Sequence, residues 1–210
     1  MHLRPNARLD NGYHGFELIQ KGLFANSYSA LTPDGQKVFF KEFRCPSVLV
    51  DWQPGFKQYQ AEIKGRIEDS RAKMFCYKWL DQFVAKPLKK DGKTPYLVKD
   101  EKTGEKIHLE EFYQTYEFLD AGSDMEKELE KAREGNMLFV DRLINAKVMM
   151  NAIAALHEAG VVHADLKPDN LMLMVNDNEF VEANYDLKLI DMDFSLQKDK
   201  PAPWHDSPDM

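Results

Sequence analysis

The stretch Val161-Val162-His163-Ala164-Asp165-Leu166-Lys167-Pro168-Asp169-Asn170-Leu171-Met172-Leu173-Met174 decides how the rest of the chain is to be understood. An apolar pair leads into a short polar loop holding an aspartate, a lysine two residues on and an asparagine three beyond that. An apolar run leads out, which predicts a polar loop framed by two buried strands. Downstream, Leu187-Lys188-Leu189-Ile190-Asp191-Met192-Asp193-Phe194-Ser195 is a second β-prone run that ends in a carboxylate. Asn170 and Asp191, oxygen donors of the kind hard metal ions take, are thereby offered from neighbouring strand ends.

These side chains match the needs of phosphoryl transfer from Mg-ATP: a carboxylate to orient and deprotonate a hydroxyl, a cation on the γ-phosphate, and hard oxygen ligands for magnesium. Asp165, Lys167, Asn170 and Asp191 would fill those roles in that order. The spacing H-x-D-x-K-x-x-N followed by a strand-terminal aspartate resembles the catalytic and magnesium loops of protein kinases. A lysine two residues after the aspartate resembles the serine/threonine branch. His163 is expected to be a packed residue that brace the loop, not a reacting group.

The 210 residues include 43% hydrophobic and 30% charged side chains, a soluble globular composition large enough for one domain or two small lobes. A net charge of -7 argues against general nucleic-acid binding, which needs a basic surface, and against attraction to an anionic membrane. Cys45 and Cys76 lack metal-type spacing and are expected to be free thiols in a reducing compartment. Residues 1–8 lack the apolar core of a signal peptide, and no window approaches about 18 continuous apolar residues. The expectation is a cytoplasmic protein.

Residues 16–31 alternate as two strands joined by a short turn, followed by a Pro33-Asp34-Gly35 turn and a third strand, Lys37-Val38-Phe39-Phe40-Lys41-Glu42-Phe43. The kinase glycine-rich loop G-x-G-x-F-G-x-V is matched in part: Gln20 stands at the first glycine, Gly22 at the second, Phe24 at the aromatic tip and Ala25 at the third. With two glycines missing, the loop should close less intimately on phosphate. Val38-Phe39-Phe40-Lys41 resembles V-A-I-K, which assigns Lys41 to the α/β-phosphates. An aperiodic loop from Cys45-Pro46 to Pro54-Gly55 leads into a helix over 56–80. By resemblance that helix supplies a glutamate partner for Lys41, namely Glu62, with Glu68 as the rival.

A strand over 83–88, a hairpin excursion over 89–106 with Asp91-Gly92 and Thr103-Gly104 turns, and a returning strand over 111–119 come next. By resemblance Tyr116-Glu117-Phe118-Leu119 runs into the interlobe hinge. Backbone groups of Glu117 and Leu119 would hold adenine there, and the bulk of Tyr116 would narrow the pocket. Residues 120–124 read as a loop and helix cap, and 125–135 as a short helix with solvated charges. An amphipathic helix over 139–159 is stopped by Gly160, with Met149-Met150 filling the core.

The chain departs from the family pattern at three places. Ala164 stands at the arginine of H-R-D, which implies no control through a phosphorylated activation loop. Asp191-Met192-Asp193 stands where the family has D-F-G, with Asp193 a capping or turn residue. Nothing before Met210 corresponds to the later helices of the large lobe, so the resemblance covers residues 12 to about 195.

The expected fold class is α+β, a bilobal protein kinase-like fold with an antiparallel-sheet small lobe over 1–119 and the start of a helical large lobe over 120–210. An incomplete large lobe would expose apolar surface and promote association. The resemblance implies transfer of the γ-phosphate of Mg-ATP to a serine or threonine hydroxyl of a protein substrate, with ATP and Mg2+ as cofactors. A nucleotide-holding pseudokinase and a small-molecule kinase of the same superfamily are the alternatives.

Overall fold

Alternating side chains build the first of two units into which the chain divides, residues 1–51 together with 79–118. The computed structural model describes residues 3–22, 25–43, 47–100, 103–119, 123–175 and 185–203. The strands of this unit are β1 (Arg8–Leu9), β2 (His14–Lys21), β3 (Ala25–Leu31), β4 (Lys37–Phe43), β5 (Trp79–Ala85), β6 (Pro87–Leu88), β7 (Leu97–Lys99), β8 (Lys106–His108) and β9 (Glu111–Glu117). Seven of them order as β5-β9-β4-β3-β2-β1-β6, and β7 pairs with β8 in a separate antiparallel ribbon.

Register decides which side chains meet. Tyr28 lies opposite Phe40, and Glu42 opposite Tyr113. Directly paired residues share a face, so Tyr28, Phe40 and Tyr113 fall together with Phe16 in a core completed by Leu9, Val38 and Ala85. Phe40 sits 5.0 Å from Phe16 and 5.1 Å from Tyr113, ring centroid to ring centroid. Lys41, paired with Gln114, faces the other way.

That core contains two carboxylates, both in low-dielectric surroundings. Glu42 is 1% exposed, and its Oε2 accepts from Tyr28 Oη at 2.7 Å and Asn26 Nδ2 at 2.9 Å. Glu111, 9% exposed, accepts from Tyr113 Oη at 3.0 Å. Burial, then the charge of Glu42, pushes the Glu111 carboxyl up to about 7. Glu42 Oε1 is buried and has no hydrogen-bond partner unless Glu111 carries a proton to donate. The Glu111 carboxyl therefore keeps its proton to higher pH than an exposed glutamate does. Burial also holds the Tyr28 and Tyr113 hydroxyls well above their ordinary range, which keeps both as donors.

The second unit comprises residues 52–78 and 119–210. Its elements are most of α1 (Ser47–Glu68), then β10 (Ser123–Asp124), α2 (Met125–Arg133), α3 (Phe139–Glu158), β11 (Val161–Val162), β12 (Leu171–Val175), β13 (Tyr185–Leu189) and β14 (Leu196–Gln197). Strands β10, β12 and β13 form one antiparallel sheet, and β11 pairs with β14. The expected helix over 56–80 is displaced. It begins at Ser47, runs through Pro54 and Gly55, and ends at Glu68. Asp69 and Ser70 terminate it, Ser70 Oγ instead capping a short 3-10 turn, Arg71–Met74, through the Ala72 amide. Residues 75–77 then lie against β13: the Tyr77 amide donates to the Leu189 carbonyl, and the Leu189 amide to that of Phe75. From Trp52 on, the helix falls within the second unit.

Three smaller expectations change as well. Ser123–Asp124, directly before α2, pairs with Leu173 and Met172 as a short strand where a loop was expected. Glu128 of α2, expected to be solvated, is buried and bonded to Lys131 Nζ at 2.6 Å. Met150, expected in the core, is 69% exposed, because the inward side of α3 is set by Asn145, Ala152, Ala155 and Leu156. Cys76 is a buried free thiol whose pKa burial pushes up to about 12, while Cys45 lies outside the described residues. Among the described residues no helix is long and apolar enough to cross a membrane.

The raised Glu111 carboxyl sets a pH dependence. Folded Glu111 holds its proton to about pH 7, whereas the unfolded carboxyl releases it near 4.5. The folded state thus binds more protons in that window, so stability falls as pH rises through it and levels off above. Glu111→Gln mimics the protonated form at every pH. Urea unfolding should show wild type losing about 2–3 kcal/mol between pH 5 and pH 8 relative to this variant.

Candidate functional site

The loop between β11 and β12 is organised by hydrogen bonds to backbone carbonyls. His163, 4% exposed, donates from Nε2 to the Ile190 carbonyl at 2.8 Å, so the ring braces the loop as expected. Its Nδ1 is buried without a partner among the described residues. Ala164 follows at φ 64 and Asp191, beyond Ile190, at φ 60, both in the left-handed region that disfavours side chains. Asp is among the non-glycine residues that tolerate it best, whereas Ala164 meets the full cost of its Cβ there.

Pro168, Asp169 and Asn170 form a single 3-10 turn, Pro168–Asn170, with proline at its start where no amide donor is needed. The turn points Asn170 back across the loop. Its Nδ2 donates to the Asp165 carbonyl at 2.8 Å and to Asp165 Oδ2 at 3.0 Å. Lys167 Nζ stands 3.2 Å from the same Oδ2. Because both partners of Nδ2 are acceptors only, the amide orientation is fixed, and Asn170 Oδ1 accepts no hydrogen bond among the described residues. The Asn170 carbonyl in turn accepts the Ile190 amide at 3.0 Å, and Leu171 lies opposite Leu189. Asp165, Lys167, Asn170 and Asp191 are thereby gathered at one end of the β12–β13 pair.

The donor set fits magnesium. An amide oxygen without a hydrogen bond and a half-buried carboxylate at Asp191 are hard ligands. Among the described residues no three His, Cys, Asp or Glu side chains cluster as a metal cage. A site for Mg2+ with phosphate needs none, since protein groups supply only one or two ligands there and phosphate and water the rest. Asp193 lies in a turn closed by the Ser195 amide on the Met192 carbonyl, 3.1 Å. Its own carbonyl accepts from the buried Gln60 Nε2.

The remaining expected site residues are distributed between the units. Lys41 is 6% exposed on β4, its Nζ 5.8 Å from the centroid of the Tyr116 ring. That ring stacks on Trp79 at 5.9 Å. Gly22 turns β2 into β3, its amide donating to the Ala25 carbonyl at 2.9 Å; a Cβ there would meet that oxygen at 2.5 Å. Phe24 lies outside the described residues. Glu117 ends β9 opposite Val38, and Leu119 follows in the second unit.

Glu62 also belongs to the second unit, and its carboxylate is engaged locally. Oε2 accepts from Lys200 Nζ and from Gln197 Nε2 at 3.2 Å, and Oε1 from Gln58 Nε2 at 3.2 Å. The Lys200 hydrogen bond holds its pKa below the ordinary value. The rival Glu68 pairs with Lys64 at 3.8 Å on the helix surface. Lys200, Gln197 and Gln60 escaped the sequence reading because their partners lie about 135 residues away in the chain, beyond any periodic signal.

The protein kinase domain model matches residues 92–206, which contain the whole of this loop system. A solved structure described as WaaP in complex with acyl carrier protein has a TM-score of 0.56 and 15% identity. The match covers 90% of this chain and 66% of that one, so this chain spans somewhat under two thirds of its neighbour's length, and at such identity the likeness shows the fold alone. No curated protein matches. The curled antiparallel sheet and, among the described residues, three helices are those of a kinase-like fold, and with more than half of its length matched the chain belongs to the protein kinase domain family.

Proposed function

We propose that the chain transfers the γ-phosphoryl group of Mg-ATP to a serine or threonine hydroxyl of a protein. The observation that carries this reading is the Asp165 carboxylate held on one oxygen by Asn170 Nδ2 and Lys167 Nζ. With Oδ2 engaged twice, Oδ1 is left to accept the proton of an incoming hydroxyl. The Lys167–Asp165 pair is about half exposed, so it adds little to stability and leaves the ammonium able to turn toward phosphoryl oxygens.

When bound, Mg-ATP supplies the phosphoryl group and the divalent charge that offsets its oxygens. Asn170 Oδ1 and the Asp191 carboxylate would hold the metal, Lys41 the α/β-phosphates, and the backbone at Glu117 and Leu119 the adenine. The tight turn at Gly22 would cover the phosphates. Glu62 would have to release Lys200 and Gln197 before serving a phosphate-binding lysine. The lysine two residues after Asp165 favours a protein hydroxyl over a small-molecule acceptor. A reducing, cytoplasmic setting suits the free thiol of Cys76.

The test follows labelled γ-phosphate from ATP into a mixture of acceptor proteins and into the chain itself. Asp165→Asn should lower transfer by about 10²–10⁴-fold while nucleotide binding, read as thermal stabilisation, persists. Unchanged transfer in this variant, label entering only small metabolites, or stabilisation without any transfer would each sink the reading. Two further variants separate the roles. Asn170→Ala should raise the Mg2+ concentration needed for half-maximal transfer by about tenfold or more. Lys41→Met should raise the KM for ATP by about tenfold or more, as loss of a charge-assisted hydrogen bond does.

A further inference from the structure

The ribbon β7–β8 of the first unit carries an arrangement that folding alone does not account for. All six of its residues are exposed, and their register pairs Leu97 with His108, Val98 with Ile107, and Lys99 with Lys106. Like charges directly opposite across two strands are destabilising, and here both strands are too short and too exposed to repay that cost by burial. Lys99 and Lys106, together with Lys89, line a cavity of about 530 Å³. The rest of the lining is Tyr96, Leu97, Val98 and Gly104, with no acidic side chain.

Asp91, in the turn that follows Lys89, is hydrogen-bonded within that turn. Asp91 accepts from the Lys93 and Thr94 amides, each at 2.9 Å, and from Thr94 Oγ1 at 2.5 Å, and the Thr94 contacts above all hold its pKa down to about 2. Neither Lys99 nor Lys106 has an ion-pair partner among the described residues. Lysines do guard exposed strand edges against self-pairing. One charge per edge is enough for that purpose, and it does not require two lysines face to face with a third converging on the same cavity.

We infer that this ribbon is a docking surface for an acidic, extended segment of a partner protein, whose carboxylates bridge Lys99, Lys106 and Lys89 while its apolar side chains cover Leu97 and Val98. The ribbon is two-stranded among the described residues, so its outer edges remain open to an added strand, and main-chain pairing supplies affinity while alternate side chains supply selection. The chemistry favours a protein segment over other polyanions. Leu97 is 48% and Ile107 44% exposed, which suits side chains and not phosphate. The net charge of -7 repels a nucleic acid or an anionic bilayer as a whole, while the local lysines still attract a short acidic stretch.

The experiment titrates the whole chain into a fluorescein-labelled peptide of alternating aspartate and leucine and reads anisotropy. The expected result is saturable binding that weakens with added salt, no binding of the matching lysine/leucine peptide, and affinity lowered about tenfold or more by the pair Lys99→Glu, Lys106→Glu. Both side chains are exposed, so this variant should melt with wild type. If it does not, Lys99→Gln with Lys106→Gln, which removes charge without adding any, must give a smaller loss in the same direction. Equal binding by either pair, or no saturable binding of the acidic peptide, overturns the inference. So does displacement by equimolar inorganic tripolyphosphate, which would mark a simple anion site, or binding of phosphatidylserine vesicles in place of the peptide.

Discussion

The backbone carbonyl of Asn170 accepts the Ile190 amide while its side-chain amide donates to Asp165, so this one buried residue ties the polar loop to the end of β13. What makes such a tie possible is strand register. Leu171 and Leu173 of β12 lie opposite Leu189 and Leu187 of β13, and all four are buried. A slip of one residue would turn that apolar set outward, and with it would turn Asp191 away from Asn170. The position of the metal-capable carboxylate is therefore set by hydrophobic burial several residues upstream. Polar side chains at the loop exploit a geometry that apolar ones establish.

The same region holds its unfavourable terms. Left-handed backbone at Ala164 and Asp191 costs on the order of 1 kcal/mol or more each, and a buried nitrogen without a partner at His163 Nδ1 costs a similar amount. Each lies within one residue of a group the loop must place: Ala164 precedes Asp165, and His163 fixes the Ile190 carbonyl next to Asp191. Stability is given up where direction is needed. The first unit shows a parallel case, with Glu42 buried beside Lys41 and accepting from Tyr28 and Asn26. Those bonds run between β3 and β4 and hold in place the strand from which Lys41 projects.

Strands and their turns were legible from local signals: β2 and β3 lie where alternation puts them, the β7–β8 ribbon flanks its Thr103-Gly104 turn, and the β12–β13 pair occupies the apolar runs beside the polar loop. The loop residues were legible through spacing alone. What could not be read was whatever depends on distant partners. Pro54 argues for a loop by local rules, yet α1 continues through it, its side from Phe56 onward being buried by packing. Glu62 reads by resemblance as a partner for Lys41, and nothing local signals the Lys200 that stands beside it. Glu42 and Glu111 look like ordinary surface charges in strands whose other residues alternate. Met150 looks like core filling because apolar character says nothing of which neighbours a helix meets.

The segment after Asp191 shows how the missing glycine of the family pattern is accommodated. Where glycine would leave the backbone free, residue 193 is buried and its carbonyl is held by Gln60, and the chain beyond is fastened along α1. The Gln197 amide donates to Tyr59 Oη at 2.7 Å and the Gln197 side chain to the Tyr59 carbonyl at 3.2 Å. Phe194 packs 6.4 Å from Phe56, and Pro203 reaches Gly55. The Glu62–Lys200 pair at the rim is a third or more exposed on both sides and contributes little beyond direction. The fastening therefore rests on buried, uncharged contacts, Gln60 to the Asp193 carbonyl and Tyr59 to Gln197. Salt screens exposed charges and leaves such contacts intact, so the segment's attachment to α1 is governed by packing and hydrogen bonding at Tyr59 and not by the ionic pair that borders it.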